Sequence, residues 1–140
     1  MSMTARTLGE TFVARLRQAG LRPTRQRLAL AQLLFQHGHR HLTAEDVHAE
    51  AQAAHVRVSL ATVYNTLHQF TAAGLLRSVT AEGSKSYFDT NTVDHHHFYC
   101  EDDGRLVDID GSDIRVAGLP PPPNGATVER VEVIVRLKSK

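Results

Sequence analysis

The chain has 140 residues, of which 41% are hydrophobic and 22% are charged, and its net charge is +1. These values are near the average for globular domains, so they exclude a disordered or fibrous chain, and the length excludes a large multidomain enzyme. Cys100 is the only cysteine, which excludes an intramolecular disulfide and a four-thiolate zinc site. Because it has no long apolar run and no leader pattern, the chain is predicted to be cytoplasmic and to make no membrane contact.

The charges are unevenly distributed along the chain. Residues 1–78 hold nine Arg, no Lys and four acidic residues, whereas residues 79–140 hold seven basic and eleven acidic residues. The two parts therefore carry formal charges of +5 and −4. The excess of arginine in the first part favours contact with a polyanion, and the acidic second part favours metal binding or simply solubility.

Four amphipathic helices are predicted in the first part, because apolar residues recur there at helical spacing. The predicted spans are 7–19, 24–38, 43–54 and 59–74. Thr43 and Asp46 have the spacing of a capping box, and Gly74 is placed to end the fourth helix. Residues 75–90 then alternate as two strands joined by a turn. Helices followed by such a hairpin predict a winged helix-turn-helix.

Shorter strands are predicted beyond residue 90, with a stiff proline-rich loop before the last of them. The strands span 95–100, 105–110 and 127–137, and the loop spans 118–125. The sequence therefore predicts an α+β protein with two domains. The winged-helix domain covers residues 1–90, and a smaller β-rich domain covers residues 91–140.

The exposed face of the fourth predicted helix carries Tyr64 and Asn65. An aromatic edge can pack on thymine methyl groups, and an Asn can form two hydrogen bonds with adenine. Phosphate contacts are expected from Arg22, Arg25, Arg57, Arg77 and Lys85. The alternative is that Tyr64 packs in the core and that Asn65 is merely solvated, but the helix-turn-helix context favours DNA contact.

The three consecutive histidines are the main candidates for ligand binding. On a strand, His95 and His97 point to one face and His96 to the other, so one face offers two imidazoles. Asp89 and Asp108 can complete a nitrogen and oxygen site for Fe(II), Mn(II) or Zn(II), and His41 can reach it from the helical part. The alternative is a solvated polar strand. Cys100 is expected to be a small buried residue rather than a ligand.

The chain contains four diagnostic segments in a fixed order: GLRPTRQRLALAQLL, HLTAEDVHAEA, VSLATVYNTLHQF and DHHHFYCEDDGRLVDID. Over nearly the whole chain they resemble the ferric uptake regulator (Fur) superfamily. The resemblance implies a homodimer in which N-terminal winged helix-turn-helix domains are joined by small α/β dimerisation domains. By position, it implies a regulatory metal site at His41, Asp89, His95, His97 and Asp108.

The resemblance also implies recognition contacts at Tyr64 and Asn65, with Arg22 reaching toward the minor groove. Many relatives have Arg where this chain has Asn65. The structural zinc site of the family is not expected here, because its first pair of cysteines corresponds to Cys100 and Asp103, and no cysteine pair occurs near the C-terminus.

Loss of the cysteine pair together with the DHHHF run most resembles the iron response regulator (Irr) branch, in which the triplet is associated with haem. This resemblance implies a haem site at His95, His96 and His97, with Phe98 and Tyr99 as candidates for the apolar shelf that haem requires. The N-terminal Cys-Pro haem motif of some members is missing from this chain.

The sequence thus predicts a homodimeric regulator of iron homeostasis that binds A·T-rich pseudo-palindromic operator DNA and releases it when haem rises. The alternative is a repressor activated by manganese or iron, in one form sensitive to peroxide. A metal-dependent hydrolase is disfavoured, since the chain has no HExxH motif, no nucleophile paired with a base and no phosphate-binding glycine loop. A haem or metal storage module would not need the face that carries Tyr64 and Asn65.

Overall fold

The computed structural model describes residues 5–82, 85–93 and 95–139, and it excludes the side chains of 5–10, 81, 82 and 85. The helices are α1 (Ala5–Gln18), α2 (Arg25–Phe35), α3 (Ala44–Ala53) and α4 (Leu60–Ala72). The strands are β1 (His41–Leu42), β2 (Arg77–Glu82), β3 (Lys85–Asp89), β4 (His95–Cys100), β5 (Arg105–Asp110) and β6 (Ile134–Leu137).

The chain divides into two compact units, Met1–Thr92 and Val93–Lys140. The first unit contains the four helices and a sheet of order β1-β3-β2, and the second contains a sheet of order β5-β4-β6. The predicted α+β class, with a winged helix-turn-helix followed by a small second domain, is confirmed. The division lies two residues after the predicted boundary, and the separate roles given to the two units stay predictions.

Side chains cap α2, α3 and α4 at their N-termini. Thr24 and Ser59 each accept a hydrogen bond from a backbone N–H of the first turn of α2 and α4. Thr43 and Asp46 form the predicted capping box on α3, since each side chain bonds the backbone N–H of the other. Gly74 follows α4 with φ of 83°, a conformation that glycine adopts at little cost. The first helix already includes Ala5, two residues before its predicted start.

The helices pack around an apolar core in the first unit. Its fully buried members include Leu30 and Leu34 of α2, and Val63, Leu67 and Phe70 of α4. Burial of each such side chain contributes roughly 1.5–3 kcal/mol. The core therefore fixes the orientation of α4, and with it the exposed face that carries the candidate DNA contacts.

The strand β1 was not predicted, because it has only two residues and no strand pattern of its own. It exists through antiparallel pairing with β3, which places His41 opposite Asp89 and Leu42 opposite Phe88. Leu42 and Phe88 belong to the helical core, so His41 and Asp89 point to the other face of the sheet. This short pairing brings two of the predicted ligands together.

In the second unit, β4 is the central strand. It pairs antiparallel with β5 and parallel with β6. The predicted strand over 127–137 is shorter than expected, because only Ile134–Leu137 is strand. Between residues 95 and 139 the structure describes one 3₁₀ turn, Gly111–Asp113, and no α-helix. Among all the described helices, none combines the length and apolar character needed to cross a bilayer.

Candidate functional site

The strand β4 separates the three consecutive histidines onto two faces. His95 and His97 are 5% and 0% exposed, whereas His96 is half-buried on the opposite face. The rings of His95 and His97 lie edge to face with centroids 4.5 Å apart. The predicted alternation is therefore present, and it makes a pair of neighbouring imidazoles rather than a triplet.

Asp108 faces both of these imidazoles from β5. Its Oδ1 atom lies 3.4 Å from His95 Nε2 and 3.5 Å from His97 Nε2. The pairing of His97 with Asp108 in the β4 and β5 register places the carboxylate on the same face. Three of the five predicted ligands thus converge within the second unit.

A backbone contact defines the tautomer of His95. Its Nδ1 atom is hydrogen-bonded to the carbonyl oxygen of Val93, and a carbonyl oxygen can only accept, so Nδ1 carries the proton. In the neutral ring the lone pair is then on Nε2, which faces Asp108. A lone pair and a carboxylate oxygen repel each other unless a proton or a cation lies between them. This arrangement is typical of metal-ligating histidines, whose second nitrogen donates to a backbone carbonyl.

The remaining two predicted ligands meet in the first unit. His41 Nε2 lies 3.1 Å from Asp89 Oδ2, and the backbone N–H of Asn91 donates to Asp89 Oδ1 over 2.8 Å. Asp89 is fully buried. Burial of a carboxylate is costly unless it is paired or bound to a metal ion, so this second group also has the character of a cation site.

The residues present therefore fit a divalent metal ion. Each group offers imidazole nitrogen and carboxylate oxygen, a ligand set that suits Mn(II), Fe(II) or Zn(II). Cys100 lies on the same face of β4 as His96, away from His95 and His97, and is half-buried. It is therefore not positioned to add a thiolate to the imidazole pair.

The hydrogen bond that His96 makes does not suit metal binding at its Nε2 atom. The backbone N–H of Val133 donates to His96 Nδ1 over 3.0 Å, so the proton of the neutral ring is on Nε2. Nε2 can then ligate iron only if this hydrogen bond is given up. The three histidines of the predicted haem site do not share a face, and His96 is held by the backbone.

Tyr64 and Asn65 are both exposed on α4, and Tyr64 is 36% exposed. The hydroxyl of Tyr64 donates to Glu45 Oε1 over 2.7 Å, and this hydrogen bond raises the pKa of Tyr64. The Tyr64 ring also stacks on His68, with centroids 6.4 Å apart. The aromatic edge is therefore held at two points on an otherwise solvated surface.

The predicted phosphate contacts fall into two groups. Arg22, Arg25 and Arg57 are exposed. Arg77 is only 3% exposed, so its guanidinium cannot reach a DNA backbone while β2 stays in place, and we do not keep it among the candidate contacts. The side chain of Lys85 lies outside the described residues.

Two interactions in this unit were not predicted. Glu45, which accepts the hydrogen bond from Tyr64, lies in the first turn of α3. Arg40 bonds both carboxylate oxygens of Glu50 and the carbonyl of Leu33, and its backbone pairs with Thr90. The hydrogen bond with Glu50 raises the pKa of Arg40. Arg40 thus ties β1, and with it His41, to α2 and α3.

Comparison with known proteins identifies the family of this chain. The model of the ferric uptake regulator family matches residues 18–120. The chain belongs to this family. The peroxide-responsive repressor PerR of Staphylococcus aureus is 39% identical over 100 residues, which cover 71% of this chain and 67% of that protein. Members of the ferric uptake regulator family are transcription regulators and not enzymes, which confirms the prediction that this chain is not an enzyme.

Solved structures of the family share the fold. The ferric uptake regulator of Pseudomonas aeruginosa with manganese has a TM-score of 0.72 and 28% identity, covering 92% of this chain and 98% of that one. The regulator of Vibrio cholerae has a TM-score of 0.72 and 24% identity, covering 91% and 98%, and its likeness shows the fold alone. Regulators of this family respond to metals and bind DNA as dimers, so the chain is a metal-responsive transcription regulator.

Proposed function

We propose that this chain is a cytoplasmic, homodimeric repressor that binds A·T-rich pseudo-palindromic operator DNA when a divalent metal ion is bound. Manganese or iron is the proposed native ion, and zinc also suits the ligand set. The proposed ligands are His41, Asp89, His95, His97 and Asp108. The observation that carries the proposal is the pair of Nε2 atoms that face one oxygen of Asp108.

The linker between the two ligand groups is short. Asp89 and His95 are six positions apart, so their Cα atoms can be separated by no more than about 20 Å. A tether of this length keeps the two groups at a high effective concentration. One ion that takes ligands from both groups would therefore favour a single arrangement of the two units.

Such a preference is sufficient to control DNA binding. A bound divalent ion supplies positive charge between the imidazole lone pairs and the carboxylates. A ligand can shift a conformational equilibrium only by its differential affinity for the two states, typically 1–3 kcal/mol. On the DNA side, the proposed contacts are Tyr64 and Asn65 with bases, and Arg22, Arg57 and Lys85 with the backbone or the minor groove.

The proposal is tested by titrating the metal-free protein with Mn²⁺ and measuring fluorescence anisotropy on an A·T-rich duplex selected from a random library. We expect operator affinity to rise about tenfold or more, which corresponds to about 1.4 kcal/mol. His97→Ala and His41→Ala should each abolish this increase. The double variant should lose no more than either single variant, because all ligands serve one ion.

His39→Ala is the matched control, since His39 is exposed and precedes β1 in the same chain. It should leave the metal response unchanged. Full activation by Mn²⁺ in both His41→Ala and His97→Ala would show that these residues do not hold the regulatory ion.

Release of DNA on haem binding is the second candidate, as expected for the Irr branch. It is favoured by an open groove of about 480 Å³ beside His96, which is lined by Ile114, Val116, Leu119 and Arg130 among others. Apolar side chains and a guanidinium suit a porphyrin with its propionates. The hydrogen bond from Val133 to His96 opposes iron ligation there. A Soret band that His96→Ala removes, together with loss of operator binding on haem addition, would replace metal activation with this model.

Sensitivity to peroxide is a further part of the metal-activated model. It is supported by likeness to the peroxide-responsive repressor of Staphylococcus aureus. The same anisotropy measurement tests it when hydrogen peroxide is added to the metal-loaded complex with DNA. Release of the duplex supports peroxide sensing, and retention restricts the protein to metal sensing.

A further inference from the structure

A row of three polar residues crosses the sheet of the first unit. His41 of β1 and Arg77 of β2 both lie directly opposite Asp89 of β3 in the strand registers. Residues opposed in this way share one face of a sheet, with Cβ atoms about 5 Å apart. Asp89 therefore has an imidazole on one side and a guanidinium on the other. The opposite face of this sheet carries Leu42 and Phe88, which pack in the helical core.

Both charged members of this row are buried. Asp89 is 0% exposed and Arg77 is 3% exposed. Charged side chains are almost never buried to this degree unless they are paired. The N–H of Asn91 bonds one oxygen of Asp89 but adds no full charge. The guanidinium of Arg77 is permanently charged and can balance the carboxylate whether or not a metal ion is bound.

We infer that Arg77 is a positioning residue of the metal site and the permanent counter-charge of Asp89. It stabilises the metal-free protein and limits the affinity for a divalent ion. The part of the inference that concerns metal affinity rests on the proposed function. Asp108 differs from Asp89 because its side chain is 36% exposed, so water can solvate its carboxylate.

The inference predicts two effects of opposite sign when the guanidinium is removed. The metal-free protein should be destabilised, since removing the guanidinium leaves the buried carboxylate of Asp89 without its permanent positive charge. Divalent metal binding should become tighter, because a repelling cation is gone and the ion then supplies the positive charge that Arg77 no longer provides to Asp89. A residue that merely packs against the sheet would weaken both properties when it is replaced.

The first experiment replaces Arg77 with an apolar side chain of similar length. Arg77→Met should lower the Tm of the metal-free protein by about 10 °C or more. Saturating Mn²⁺ should restore most of the lost Tm. Calorimetry at a temperature where the variant and the unchanged protein are both folded should give a Kd for Mn²⁺ that is about tenfold lower for Arg77→Met. Arg17→Met is the matched control. It removes an exposed guanidinium from α1 and should change neither value.

A double-mutant cycle without metal tests the pairing by itself. In the Asp89→Asn background, Arg77→Met should lower the Tm by less than a third of its effect in the unchanged protein, because no carboxylate remains to be compensated. If Arg77→Met does not fold without metal, Arg77→Met/Asp89→Asn should fold. Equal losses in both backgrounds, or a double variant that also fails to fold, would overturn the pairing.

Weaker Mn²⁺ binding by Arg77→Met would overturn the claim that Arg77 limits metal affinity. If the unchanged protein binds no divalent ion, the proposed function fails. The metal-free cycle still decides whether Arg77 and Asp89 are coupled, so the two failures are distinguishable.

Discussion

At the scale of single residues, Tyr64 differs from an ordinary exposed aromatic side chain. Its hydroxyl is bonded to Glu45, and its ring lies against His68. Two attachments reduce the number of rotamers that the side chain can adopt. The proposed contact with a base would therefore cost less conformational entropy than it would for a mobile side chain.

Tyr64→Ala is expected to lower the affinity for the selected operator by roughly 1–3 kcal/mol, with little change on a scrambled duplex. The reason is that a base contact carries sequence information and a phosphate contact does not. Tyr64→Phe keeps the ring but loses the hydrogen bond to Glu45. Its affinity for the operator should lie between that of the unchanged protein and that of Tyr64→Ala. Anisotropy on both duplexes measures the effect. Equal losses on both would mean that Tyr64 supports the fold and reads no base.

Sequence patterns predicted the side chains of this unit unevenly. Tyr64 and Asn65 were expected on the exposed face of α4, and both lie there. Arg77 was expected to contact phosphate, yet it is buried. The prediction failed because the sign of a charge does not reveal that an acidic residue, Asp89, lies opposite it in the sheet. Glu45 was missed for the same reason, since its link to Tyr64 spans 19 positions and depends on the packing of two helices.

At the scale of secondary structure, the sequence predicted features that depend on neighbouring residues, but it did not predict which strands pair or how far they extend. The capping box at Thr43, the end of α4 at Gly74 and the alternation along β4 all follow from neighbours within four positions. The two-residue β1 and the shortened β6 depend on strands far away in sequence. The same difference applies to the two groups of proposed metal ligands. The proposed ligands were chosen from the sequence and the family resemblance, but the pairing of His41 with Asp89 depends on a strand that has no pattern of its own.

The last described residues of the second unit are held by hydrogen bonds to the turn that follows β4. The backbone N–H of Ser139 donates to Asp102 over 3.1 Å, and the Ser139 hydroxyl bonds the same carboxylate. The N–H of Glu101 donates to the carbonyl of Leu137 over 3.1 Å. These contacts join β6 to the turn after β4 without any thiolate.

A pH dependence follows from the Asp102 contact. The hydrogen bonds from Ser139 lower the pKa of Asp102 below its ordinary value of 3.8. A lowered folded pKa stabilises the protein above pH 3.8, and this contribution disappears as the pH falls from 3.8 through the lower folded value. The amide chemical shift of Ser139 should therefore be constant at neutral pH and change only in this acidic range. Asp102→Asn should remove the change, and a transition near neutral pH would contradict the assignment.

At the scale of the whole molecule, the proposed control by metal depends on the covalent link between the two ligand groups. The first unit ends at Thr92 and the second begins at Val93, so the groups belong to different compact units of one chain. Among the described residues, the ligand group of the first unit contributes two side chains and that of the second unit contributes three, so neither group fills the coordination sphere of an ion by itself. An ion that takes ligands from both groups would then use part of its binding free energy to favour one conformation of the chain.

Lengthening that link should weaken metal binding and separate it from DNA binding. Insertion of Gly-Ser-Gly-Ser after Thr92 nearly doubles the linker between the ligand groups and makes it more flexible, so the Kd for Mn²⁺ should rise at least about twofold to threefold. The metal-induced gain in operator affinity should fall with it, because a loose tether lets the ion bind without fixing one arrangement. The same insertion after Asn124, in the exposed proline-rich loop, is the matched control and should leave both values unchanged. Calorimetry and anisotropy on the same preparations provide the two measurements. If the insertion after Thr92 also leaves both unchanged, the two groups do not share an ion, and regulation must arise within one unit.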